Sequence, residues 1–292
     1  MLFQRFQGAW MGVLLGEALA TCYQQTSYRR YQPIPEDYCS PSQVASIAIA
    51  MQMLQLSTSS PGAFANLIPE VSQAFQVEGI LAQAVLVPMG LLYGDEPTIL
   101  MHRLQQWDES LGIALQEQGI VAHCLALLLH DRCPPQEILS YLSRQPTYPD
   151  LPSATQILPL VSDLLNQSAS LTTAQLMLHG FSSIQQTMAL ALYCFLSTPG
   201  DSRLCLERAI RCLHEPLATA AIVGMLSGAH MGMIGFPIEW RQRCYGLTGA
   251  AGLDAITQLF ARWCGISNGR SLSVAECMAI PVASPGGIRS VR

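Results

Sequence analysis

Leu213–Trp240, LHEPLATAAIVGMLSGAHMGMIGFPIEW, is the stretch whose reading decides the fold. Between Glu215 and Glu239 its only ionisable side chain is His230. Gly224, Gly228 and Gly232 recur at every fourth residue, and Ala220 stands one turn earlier. On a helix these residues share one face, and a second backbone can approach it closely. A segment this apolar all round is either a central buried helix or a membrane span. Residues 216–238 are long enough to cross a bilayer. Against a span stand Gly224, Gly228, Gly232, Gly235, His230 and Pro237, with few large aliphatic side chains. The expectation is a buried helix over 216–238, and this composition disfavours membrane insertion.

Residues 3–24, FQRFQGAWMGVLLGEALATCYQ, repeat the device with Gly8, Gly12 and Gly16. Two glycine-faced apolar helices in one chain predict a tight contact at the centre of a bundle. Between and beyond them the 3.6-residue apolar period predicts further helices over 42–57, 64–75, 80–93, 98–106, 108–129, 134–144, 155–166, 171–180, 183–197, 202–213 and 249–264. Asp108 reads as an N-cap, and Pro134-Pro135 opens the helix that follows. The polar, proline-containing stretch 25–42 reads as a long loop, of the kind that usually carries function. No stretch has a strand pattern. The reading is all-α: a single-domain orthogonal helical bundle over residues 1–280, followed by a disordered tail, 281–292, that contains Pro-Gly-Gly.

Composition excludes several classes of function. The chain has 292 residues, 50% of them apolar and only 12% charged. Its 15 basic residues are all arginine, so a lysine Schiff base and a P-loop lysine are both excluded. The net charge is −5 and no basic run is present, which disfavours nucleic acid and anionic lipid. The ten cysteines form no Cys-x-x-Cys pair, and several, Cys124 and Cys194 among them, sit inside apolar runs. They predict free thiols in a reducing, cytoplasmic setting.

The two glycine helices carry a resemblance. Arg5-Phe6-Gln7-Gly8 through Gly16-Glu17-Ala18-Leu19-Ala20 resembles the opening of the ADP-ribosylglycohydrolase family, with its Arg, glycine-rich helix and Gly-Asp-Ala-Leu-Gly. Ala191-Leu192-Tyr193-Cys194-Phe195, Thr219–Ala229 and the Pro237-Ile238-Glu239-Trp240 end are similar to later motifs of that family. The resemblance implies an all-α fold and hydrolysis of an ADP-ribose glycosidic bond, with a carboxylate-held magnesium pair orienting the ribose and a water. Its metal motif, Gly-Gly-Asp-x-Asp-Thr, lands on Leu213-His214-Glu215-Pro216-Leu217-Ala218. Its Thr-Asp-Asp-Thr lands near Cys39-Ser40-Pro41-Ser42, its acidic residue after the first glycine helix on Gln24, and an Arg before its Pro-x-Gly turn near Val85. Glu215 is the only acidic residue at a matching ligand position.

On that mapping no residue is assigned as catalytic beyond the candidates Glu17 and Glu215, and no metal is assigned beyond the ligand position of Glu215. The expected ligand cleft is Glu17, Gln24, Ser40, Ser42, Glu215 and Thr219. The chain is expected to be a catalytically inactive, metal-free binding or regulatory protein, with a protein partner, a second copy of itself or weakly held ADP-ribose as ligand. The competing expectation is an active hydrolase with a rebuilt acid/base or single-metal site using Glu17, Glu215 and Asp37.

Three other constellations have bland readings. His123 and His130 lack zinc-site spacing, and His130 reads as a cation at a helix C-terminus. Cys212 and His214, two apart, point to different helix faces, against a nucleophile and base. Gly265-Ile266-Ser267-Asn268-Gly269 has the letters of a nucleophile elbow, but no preceding strand and no later histidine.

Overall fold

A computed structural model of the chain describes residues 2–25, 83–111, 115–148, 151, 153–265 and 276–277. These residues form eleven α-helices and no strand: α1 (Leu2–Gln25), α2 (Gln83–Tyr93), α3 (Pro97–Leu111), α4 (Leu115–Leu129), α5 (Ile138–Ser143), α6 (Leu158–Asn166), α7 (Leu171–Leu178), α8 (Ser183–Ser197), α9 (Ser202–Ala209), α10 (Pro216–Met231) and α11 (Ile238–Trp263). The helices expected at 42–57 and 64–75, and the tail at 281–292, lie outside the described residues.

The centre is the pair α1–α10. Gly8 lies against Gly228, Gly12 against Gly224, and Gly16 against Ala220. Numbers rise along one helix as they fall along the other, so the pair is antiparallel. A Cβ built on Gly8, Gly12, Gly16, Gly224 or Gly228 would fall well inside contact distance of the facing backbone oxygen. At these five glycines only a hydrogen side chain allows this separation, so the four-residue glycine spacing is the cause of the packing. Around the pair α10 touches α8, α9, α4 and α2, while α11 lies along α1. The apolar core they enclose runs from Phe3 to Cys277 without a second centre. Phe6, Trp10, Phe260 and Trp263 supply its aromatic contacts, with Phe6 and Phe260 edge to face at 5.2 Å.

Local chemistry sets the helix ends. Ser182 and Gln185 form a capping box on α8, while Ser170 and Asp201 cap α7 and α9 by accepting from Thr173 N and Leu204 N. Asp131 takes φ 56° and closes α4, with Arg132 N donating to Leu127 O at 3.0 Å.

Four expected boundaries differ. The helix expected over 216–238 stops at Met231, because Gly232 adopts φ 72°, ψ −178°, which glycine alone takes at little cost. A short 3₁₀ turn, Met233–Gly235, follows. Next, α11 begins at Ile238, eleven residues before the helix expected at 249–264, and runs through a break at Gly249 (φ 63°). Its first half carries a thin apolar stripe, Trp240 and Cys244, too narrow to stand out in the sequence. Asp108 is not an N-cap but lies inside α3, which continues to Leu111. Finally, the helix expected over 202–213 ends at Ala209, leaving Cys212–Glu215 as a turn.

Candidate functional site

The register of the central pair sets the site. One residue past the Gly16–Ala220 contact, Glu17 stands level with Thr219. The C-terminal end of α1, with Gln24, lies at the same end of the pair as the N-terminus of α10, with Glu215. By register, four of the six expected cleft residues, Glu17, Gln24, Glu215 and Thr219, fall in the half of the α1–α10 pair that holds the N-terminus of α10. Ser40 and Ser42, together with Asp37, lie outside the described residues.

The four differ in exposure. Glu17 is buried at 1% and Thr219 at 0%, and the Thr219 hydroxyl is without a hydrogen-bond partner. Gln24 and Glu215 are exposed. Glu215 is the residue before α10 and sits in the left-handed region, φ 41°, ψ 55°, with no side-chain hydrogen bond to the helix. An L-residue held there is strained, by about 1–2 kcal/mol. Pro216 fills the first position of α10, where its missing N–H costs nothing. The amides of Leu217 and Ala218 come next, in the first turn of a 16-residue helix whose dipole favours an anion.

The donor set at the matched positions is poor. Leu217 and Ala218 have no side-chain donor atom, and Val85 is fully buried in apolar surroundings. Among the described residues no group of three or more His, Cys, Asp or Glu stands close enough to hold a metal ion.

The ADP-ribosylglycohydrolase family model matches residues 88–268, which includes α10 and the turn before it. The chain belongs to the ADP-ribosylglycohydrolase family. No curated protein matches it at a significant level. The family match and the all-helical bundle agree with the resemblance carried by the glycine helices.

Other candidates resolve into structure. His214 Nε2 lies 3.0 Å from Ser183 Oγ and 3.3 Å from Ser183 O. His214 Nε2 is thus turned to Ser183. His123 is buried against Tyr148, with Nδ1 2.8 Å from the phenol oxygen. Burial drives its pKa down to about 4, while Asp95 pulls it up and Arg132 pushes it down by smaller amounts. His130 stands just past α4, 3.8 Å from Asp95, which also receives Arg132 at 2.9 Å. Gly265 ends α11, and residues 266–269 lie outside the described residues.

Sequence reasoning missed a set of exposed apolar side chains beside the site. Leu213, in the turn before Glu215, is 86% exposed, and its amide donates to Gln175 Oε1 at 2.6 Å. Leu176 and Met177, the next residues of α7, are exposed as well. The sequence hint was weak: α7 reads LTTAQLML, apolar on more than one face. Among the described residues no helix is long and apolar enough to cross a membrane.

Proposed function

We propose that this family member keeps the helical frame without the dimagnesium chemistry, and acts as a binding or regulatory protein. One observation carries the reading: where the family places its metal motif, the chain offers Glu215, Leu217 and Ala218 at the head of α10. Magnesium takes oxygen ligands, and each ion needs one or two carboxylates besides substrate phosphate and water. The described donors do not fit a pair of such ions, and no step through the metals is derived. The amides of Leu217 and Ala218 could still receive one phosphate oxygen of ADP-ribose, which requires no metal.

The exposed Leu213, Leu176 and Met177 support a protein partner or a second copy of the chain beside this end of the bundle. The nine described cysteines stand as free thiols, which supports a cytoplasmic setting. In this reading residues 1–280 act as one domain.

Calorimetric titration tests the proposal. Magnesium alone is expected to give no binding isotherm, and added magnesium is expected to leave the affinity for ADP-ribose unchanged. Saturable binding of two magnesium ions per chain would overturn it and favour a rebuilt hydrolase.

A further inference from the structure

Three buried thiols, Cys194, Cys205 and Cys212, converge where α8, α9 and the 210–215 turn meet, and the proposed ligand site uses none of them. Cys194 lies in the middle of α8, and its thiol is hydrogen-bonded to that of Cys212. Cys205 Sγ donates to Thr198 O at 3.1 Å and lies 3.5 Å from Phe195 O, beside Cys194 in the chain. Cys212 Sγ lies 3.8 Å from Arg208 O. The Arg208 guanidinium donates to Thr198 Oγ1 at 2.8 Å, and that hydroxyl lies 3.6 Å from Cys205 Sγ. Arg208 offsets only a small part of what raises the pKa values of Cys194 and Cys205. A metal reading has no support, since no described group of three or more ligands could hold an ion.

We propose that Cys194 and Cys212 form a redox pair, which hydrogen peroxide converts to a disulfide tying the middle of α8 to the turn that carries Glu215. The step balances. The Cys212 sulfur attacks one peroxide oxygen, the O–O bond breaks, and the departing hydroxide takes the thiol proton to become water. Cys212 is then a sulfenic acid. The Cys194 sulfur attacks it, the S–O bond breaks, and the second hydroxide takes the Cys194 proton. Two thiols and one peroxide become one disulfide and two waters, and the two electrons lost by sulfur reduce the peroxide.

Access sets the rate. The hydrogen bond with Cys212, and then burial, hold Cys194 above the ordinary thiol range, and burial does the same for Cys205, so in the closed structure they are protonated and slow. The 210–215 turn is the place to open: Leu213 projects into solvent and Glu215 is strained. Opening lifts Cys212 toward peroxide and leaves Arg208 beside Cys194. The disulfide then fixes the turn and, with it, the position of Glu215.

The test is a peptide map of the reduced wild-type protein, run without reductant before and after hydrogen peroxide at neutral pH. The expected result is a new Cys194–Cys212 cross-linked peptide pair that dithiothreitol reverses. Cys205→Ser should keep the cross-link, and Cys194→Ser and Cys212→Ser should each lose it. A folded protein that forms no cross-link, that links a different pair, or that takes Cys212 to sulfinic acid without a link would overturn the proposal. If either core variant fails to fold, the wild-type map and Cys205→Ser decide alone.

Discussion

His123 is 2% exposed, holds the Tyr148 phenol, and stands 6.0 Å from the Tyr141 ring. Its folded pKa of about 4 lies below the ordinary 6.5. The unfolded chain therefore binds a proton between these values that the native protein refuses. Stability is full above pH 6.5 and falls as the pH drops toward 4, by about 3 kcal/mol if the site stays closed. Urea midpoints for the wild type and His123→Asn across that window check this. The variant is expected to be less stable at pH 7 and to have a shallower slope below 6.5; parallel slopes would contradict the account. The sequence read His123 and His130 as lacking zinc-site spacing and left the burial of His123 open. It did not show Tyr148, 25 residues away, because that pairing depends on how the chain after α5 folds back.

Among the elements, the α1–α10 pair was the most legible. Glycine at every fourth position leaves a physical trace, since nothing else lets two helix backbones meet so closely. What the same letters hid was the end of α10: an apolar run is continuous in composition, while Gly232 breaks it in φ. The contrast between inward and outward glycines gives a prediction. A methyl at Gly224 would strike the backbone of Gly12, whereas one at Gly246 in α11 meets nothing within 4 Å. Gly224→Ala should cost about 3 kcal/mol or abolish folding. Gly246→Ala should be neutral or stabilise by about 0.5–1 kcal/mol through reduced chain entropy. Denaturant midpoints of both variants decide, and an unchanged midpoint for Gly224→Ala would mean that the pair is not packed on its glycines.

At the scale of the whole molecule, the proposed reading keeps the family's fold without its chemistry. The frame of an ADP-ribosylglycohydrolase was readable because its glycine helices carry their spacing openly in the sequence, and the family match over residues 88–268 takes in the second of them. The site was readable only as a set of positions, since sequence alone does not tell buried Glu17 from exposed Glu215. Two magnesium ions would bring four positive charges to an end of the bundle where the matched positions offer one carboxylate. Uncompensated charge of that density is not tolerated in a partly buried site. Without the metals, nothing described polarises the ribose hydroxyls or acidifies the attacking water. The most direct measurement is release of ADP-ribose from ADP-ribosyl-arginine and ADP-ribosyl-serine substrates at millimolar magnesium, with the wild type beside Glu215→Ala. The account predicts no turnover above the buffer rate for either protein; turnover by the wild type that Glu215→Ala abolishes would contradict it.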